Sequence, residues 1–174
     1  MSKWFMLTLV GKDRPGIVAR VSAALYRGGC NLGEASMARL GGNFTIMLMV
    51  QYAGTVKALE KIIAPVCDPL GLRRHVAGIE GELHHHVEPN VRISVYGADR
   101  AGIVAEATGA LAEAGLNILN LESDVGGTSE KAIYIMTIEG VASKGIDALQ
   151  KALEVLAAEK NVEIRLSPID TLMG

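Results

Sequence analysis

Gly11-Lys12-Asp13-Arg14-Pro15-Gly16-Ile17-Val18-Ala19 returns 86 residues later as Gly97-Ala98-Asp99-Arg100-Ala101-Gly102-Ile103-Val104-Ala105. Without a gap the match carries residues 11–32 onto 97–118, and eleven of the 22 pairs are identical. Identity at that level over a fixed offset marks a duplication. The chain therefore divides into a first module at 1–80, a polar connection at 81–89 and a second module at 90–174.

Outward from the repeat, each half has the same order. Residues 5–10 and 91–96 are β-prone and apolar and predict strands that end at Gly11 and Gly97. Ile17, Val21, Ala24 and Leu25, with Ile103, Ala107 and Leu111, have helical spacing. Asp13 and Asp99 stand where an N-cap side chain would accept first-turn N–H groups, and Pro15 suits a first turn. Gly29 and Gly115 predict left-handed helix ends. Asn31-Leu32 and Asn117-Ile118 open second strands. Hairpins are expected at Gly41-Gly42-Asn43 and, with about two extra residues, at Gly126-Gly127-Thr128-Ser129. Third strands follow at 44–51 and 132–139, with second helices near 55–64 and 143–159. Pro65 and Pro69 threaten the end of the first of these helices. Last strands fall near 72–79 and 162–167. The order βαββαβ, twice, is an α+β ferredoxin-like fold, with helices on one face of each antiparallel sheet.

The formal net charge is −2, and no basic run tracks a phosphate backbone, which argues against direct nucleic-acid binding. The first residues lack a signal-peptide layout, and no apolar stretch is long enough for a bilayer, so a cytoplasmic protein without a membrane partner is expected. Cys30 and Cys67 read as reduced, buried thiols. Met47, Met49 and Met136 read as core residues of the third strands.

A glycine after a strand, then Asp-Arg-x-Gly and a helix, exposes unpaired N–H groups beside a partial positive charge. A carboxylate or phosphate fits there. The same residues also fit a plain helix start, with glycines serving the turn and aspartates capping.

The loop and the fold pattern together resemble the ACT domain family. The resemblance rests on Asp13-Arg14-Pro15-Gly16 with Gly29-Cys30-Asn31-Leu32, and on Asp99-Arg100-Ala101-Gly102 with Gly115-Leu116-Asn117-Ile118. Within that family the chain is most similar to stand-alone tandem proteins of the glycine cleavage system transcriptional repressor kind. The resemblance implies a non-enzymatic regulator that binds an amino acid, glycine or serine first. It also implies a homo-oligomer acting through a regulatory protein partner. The ligand would lie between modules, held by the loop of one and the second-strand asparagine of the other. The implied site residues are Asp13, Arg14, Gly16 and Asn31, and Asp99, Arg100, Gly102 and Asn117. Asparagine offers a donor and an acceptor, and backbone N–H groups suit a carboxylate.

Two positions depart from the pattern. Pro15 becomes Ala101, and serine-binding relatives carry histidine where this chain has Gly11 and Gly97. No cofactor or metal is expected. His84-His85-His86 is the one histidine cluster, and consecutive side chains do not converge on an ion, so it reads as solvated linker. Arg73-Arg74-His75 reads as a strand edge. The competing expectations are a ligand-independent ACT scaffold, a stand-alone regulatory subunit of an amino-acid-pathway enzyme, and an enzyme fragment, for which 174 residues leave no catalytic domain.

Overall fold

The computed structural model describes residues 2–80, 87–98, 102–128 and 131–169. Most of the connection 81–89, including His84-His85-His86, lies outside the described residues, as do Asp99 and Arg100. The chain divides into two compact units, Met1–Leu83 and His84–Gly174.

The first unit runs β1 (Lys3–Lys12), α1 (Ile17–Arg27), β2 (Asn31–Leu40), β3 (Asn43–Tyr52), α2 (Val56–Leu70) and β4 (Arg73–Gly78). The second runs β5 (Val91–Ala98), α3 (Ile103–Glu113), β6 (Leu116–Thr128), β7 (Lys131–Ala142), α4 (Ile146–Lys160) and β8 (Glu163–Pro168). Sheet order is β2-β3-β1-β4 in one unit and β6-β7-β5-β8 in the other, with every pairing antiparallel. Each unit is thus the expected βαββαβ module.

Alternation along the strands builds the cores. Phe5, Leu7 and Leu9 of β1 and Phe44, Ile46, Leu48 and Val50 of β3 are buried, and they meet Val21 and Leu25 of α1 and Leu59 and Ile63 of α2. The second core repeats this with Val91, Ile93 and Val95 against Ala107, Leu111, Leu149 and Leu153. The period of two also corrects one expectation. Met136 is buried, but Met47 and Met49 alternate with Ile46, Leu48 and Val50, and Met47 is 48% exposed on the opposite face.

Helix α1 ends as expected. Gly29 has φ +77, its N–H reaches Tyr26 O and the Cys30 N–H reaches Leu25 O, which closes the last turn. Its start differs. Gly16, φ +83, is the N-cap of α1, Gly102, φ +93, is the N-cap of α3, and neither helix has a side-chain cap. Asp13 is therefore three residues ahead of the cap, and Pro15 lies in the turn before the helix.

Helix α2 runs through Pro65 and Pro69 to Leu70, against the expected stop near 64. The prolines are four residues apart on the exposed side, so the carbonyls they leave unpaired face water. The buried stripe Leu59, Ile63, Cys67 and Leu70 passes behind them unbroken.

The second hairpin also differs. Gly126 and Gly127 pair with Ile133 and Ala132 inside the ladder, and the connection moves to residues 129–130, outside the described residues. Gly11 faces Phe44 and Gly97 faces Tyr134, so third strands are offset by 90 residues where first strands are offset by 86. The hairpin has four extra residues rather than two. Beyond the positions of Leu40 and Asn43, it is longer by two on each strand. Both second strands carry a one-residue bulge at the equivalent place, between Leu32 and Ala35 and between Ile118 and Asn120.

Candidate functional site

Between β1 and α1 the chain turns through Asp13, Arg14, Pro15 and Gly16. The turn needs Gly16 in the left-handed region, where a Cβ is costly. The Gly16 carbonyl accepts the first helical bond from the Arg20 N–H at 3.1 Å. The N–H groups of Ile17, Val18 and Ala19 thus have no acceptor within the helix, and no acidic residue lies in the first turn.

The Asp13 N–H donates to Gly42 O at 3.0 Å, which ties the loop to the first hairpin. That tie brings Arg39, near the end of β2, to the loop. Its Nη2 lies 2.6 Å from Asp13 Oδ2, so the Asp13 carboxylate holds a guanidinium and caps no helix. Pairs this exposed contribute under about 1 kcal/mol to stability, so this one orients groups more than it stabilises the fold.

Around this pair is a cavity of about 310 Å³. Asp13, Arg14 and Gly16, the first residues of α1, and Met37, Arg39 and Phe44 line it. Two guanidinium groups, one carboxylate and an uncapped helix start leave a net positive field. The apolar wall comes from Ile17, Val18, Met37 and Phe44. A small zwitterion has the matching chemistry, a carboxylate for the N–H groups and guanidinium and an ammonium for Asp13.

The predicted residues separate into two places. Asp13, Arg14 and Gly16 share the cavity. Asn31 is exposed and opens β2 at its other end, opposite Gln51, roughly 25 Å along the strand from Arg39. Within the first module the loop and the asparagine do not meet. Arg39, Met37 and Phe44 are the residues that sequence reasoning missed. The usable signal was register. With Gly41-Gly42 as the turn, Arg39 faces Phe44 beside the end of β1.

The start of α3 has the same cap geometry as the start of α1 and different neighbours. Gly102 accepts the first helical bond of α3 from Glu106 at 3.0 Å. Glu106 is an acid in the first turn, paired with Lys160 at 2.8 Å. The counterpart of Arg39 facing Phe44 is Val125 facing Tyr134. Asn117 is exposed near the start of β6.

Gly11 and Gly97 are hemmed in by the residue that leads into the last strand of each module. A Cβ at Gly11 would meet Leu72 Cδ2 at 2.7 Å, and one at Gly97 would meet Val162 Cγ1 at 2.5 Å. The space for a side chain is already filled in both modules.

Cys30 and Cys67 are free and buried, and burial pushes both thiols up from their ordinary value. Arg73 and His75 are exposed on edge strand β4, and Arg74 is hydrogen-bonded to Asp68 of α2. Among the described residues no polar or charged side chain is buried, and no helix is long and apolar enough to cross a membrane.

Comparison with known proteins gives the same picture. Family models for the ACT domain match residues 3–77 and 91–158. A crystal structure of an unknown protein from Galdieria sulphuraria is 24% identical, with 98% of this chain and 100% of that chain covered at a TM-score of 0.80. A structure assigned to a candidate glycine cleavage system transcriptional repressor is 19% identical, with 98% and 99% covered at a TM-score of 0.74. Both likenesses are of fold. No curated protein matches.

Proposed function

The chain belongs to the ACT domain family, in two tandem copies, and on that premise we propose that it is an amino-acid-sensing regulator. The observation that carries this is the uncapped start of α1 opening on a cavity that also holds Arg14, Arg39 and Asp13. The free N–H groups and a guanidinium take the α-carboxylate, and Asp13 takes the α-ammonium, giving up part of its contact with Arg39. Glycine and serine, which the family resemblance implies, stay the first choices. Asn31 enters from another module, since it lies at the far end of β2 from the loop of its own module, and the repeat gives Asn117 the same part. The modules are 1–80 and 90–174, with 81–89 joining them.

Output goes through a protein partner in the control of amino-acid metabolism, of the glycine cleavage repressor type, in the cytoplasm and without catalysis. Ligand binding acts by favouring one assembly or partner-binding state over another. Calorimetry of the full chain against the twenty amino acids tests the proposal. A binding heat for a small amino acid, lost in Asn31→Ala and Asn117→Ala together, is expected. Silence toward all twenty from folded protein defeats it. One observation favours the ligand-independent scaffold, namely that Asp13 already has a cation partner in Arg39. That alternative requires the same silence.

A further inference from the structure

The helical layers of the two modules carry opposite charge at equivalent positions. In the first module, α1 and α2 border an open groove of about 440 Å³, with Ala19, Ala23 and Pro65 in it and Arg20 and Arg27 along it. In the second, α3 and α4 border a groove of about 360 Å³, with Ala105 and Gly109 in it and Glu106, Glu113, Glu159 and Lys160 along it. The offset of 86 carries Arg20 onto Glu106 and Arg27 onto Glu113. The same two positions on the same scaffold have reversed their sign.

The reversal extends over each layer. Helices α1 and α2 carry Arg20, Arg27, Lys57 and Lys61 against Glu60 and Asp68, a net of +2. Helices α3 and α4 carry Lys151 and Lys160 against Glu106, Glu113, Asp147, Glu154 and Glu159, a net of −3. Glu106 is held by Lys160, while Arg20, Arg27 and Glu113 form no ion pair among the described residues. Arg20, Arg27, Glu106 and Glu113 are exposed side chains on their own modules.

We infer that the helical layer of the first module docks on the helical layer of the second module of another copy of this chain. Small residues at Ala19, Ala23, Ala105 and Gly109 leave room for helices to approach, and the charges at the rim set which layer meets which. A layer meeting its own kind would set Arg20 and Arg27 against arginine, or Glu106 and Glu113 against glutamate, and is rejected. Each copy offers both halves of the contact, so reciprocal engagement closes a dimer and one-sided engagement extends a row. This contact does not rest on the amino-acid site, and it is read by mass rather than by ligand heat.

The test is light scattering on size-exclusion chromatography of the full chain at micromolar concentration and low salt. Wild type assembles, and salt weakens the assembly. Arg20→Glu with Arg27→Glu, and separately Glu106→Arg with Glu113→Arg, each weaken it by at least about tenfold. Mixing the two variants restores it, because every layer again finds its opposite on the other chain. Circular dichroism confirms that both are folded; the neutral pair Arg20→Gln with Arg27→Gln, expected to weaken assembly less, serves if a reversed pair is not. A monomeric wild type, variants that keep its mass, or no rescue on mixing folded variants overturns the inference.

Discussion

At the head of α1, Asp13 meets Arg39 and the first turn has no acid. At the head of α3, Val125 stands where Arg39 stands, and Glu106 is in the first turn. The helix starts themselves agree, since Gly16 and Gly102 share a left-handed geometry and accept the same first helical bond. The duplication kept this helix start and changed the side chains around it. At the first helix start Arg14 and Arg39 outnumber Asp13 beside the free N–H groups. At the second, Glu106 and Lys160 cancel as a pair and Val125 brings no charge. On the proposed function the first loop is the stronger place for a carboxylate ligand.

The largest test of this comparison concerns its equal part. Leu25 and Leu111 occupy the same repeat position, and both are fully buried. Leu25→Ala and Leu111→Ala are each expected to destabilise their own module by about 2–5 kcal/mol in urea unfolding. Costs that differ strongly would show that the two scaffolds are not equivalent.

The unequal part is tested next. Arg39→Val, which gives the first loop the chemistry of the second, is expected to weaken amino-acid binding by about 1.5–3 kcal/mol, the worth of a hydrogen bond to a charged group. Calorimetry reads this directly. Val125→Arg is expected to strengthen the second loop, though less, while Glu106 remains. If Arg39→Val binds as wild type does, the comparison loses its chemical content.

Smaller effects follow at the shared glycines. Gly16→Ala and Gly102→Ala force a side chain into the left-handed region and are expected to cost about 1–2 kcal/mol each by thermal or urea unfolding. The smallest effect is alkaline. Both cysteines are in the first module, and burial raises both thiols. Unfolded chain loses these protons near the ordinary thiol value of about 8.5, while the folded module holds them longer. Stability is therefore full below that value and falls as pH rises through the folded values. Unfolding as a function of pH should show a slight loss confined to the first module. Cys30→Ser with Cys67→Ser should remove the slope.

Much of the fold is legible in the sequence alone. The repeat at 11–32 and 97–118 needed only alignment of the chain with itself, and alternation at Phe5, Leu7 and Leu9 needed only a period of two. The misses were cases where a local preference met a tertiary context. Asp13 has the chemistry of a cap, but a turn through Pro15 and Gly16 moves the helix start past it. Pro65 and Pro69 break helices whose carbonyls are buried, and here those carbonyls face water. Gly126 and Gly127 favour turns, yet a ladder already running on both sides keeps them in register. Arg39 lay 26 residues from Asp13, and only the hairpin brings them together.

The longer second hairpin has a consequence for how such a chain can change its length. Its four extra residues are split evenly, two per strand. The pairs nearer the core, Val125 with Tyr134 and Ser123 with Met136, stand as Arg39 with Phe44 and Met37 with Ile46 do in the shorter hairpin, so Tyr134, Met136 and Ile138 stay buried. Matched insertion on the two strands lengthens the arm beyond the core, whereas a residue added to one strand alone would slip the register and turn its side chains to the other face. The hairpin tip is therefore where such a chain can grow without touching its interior.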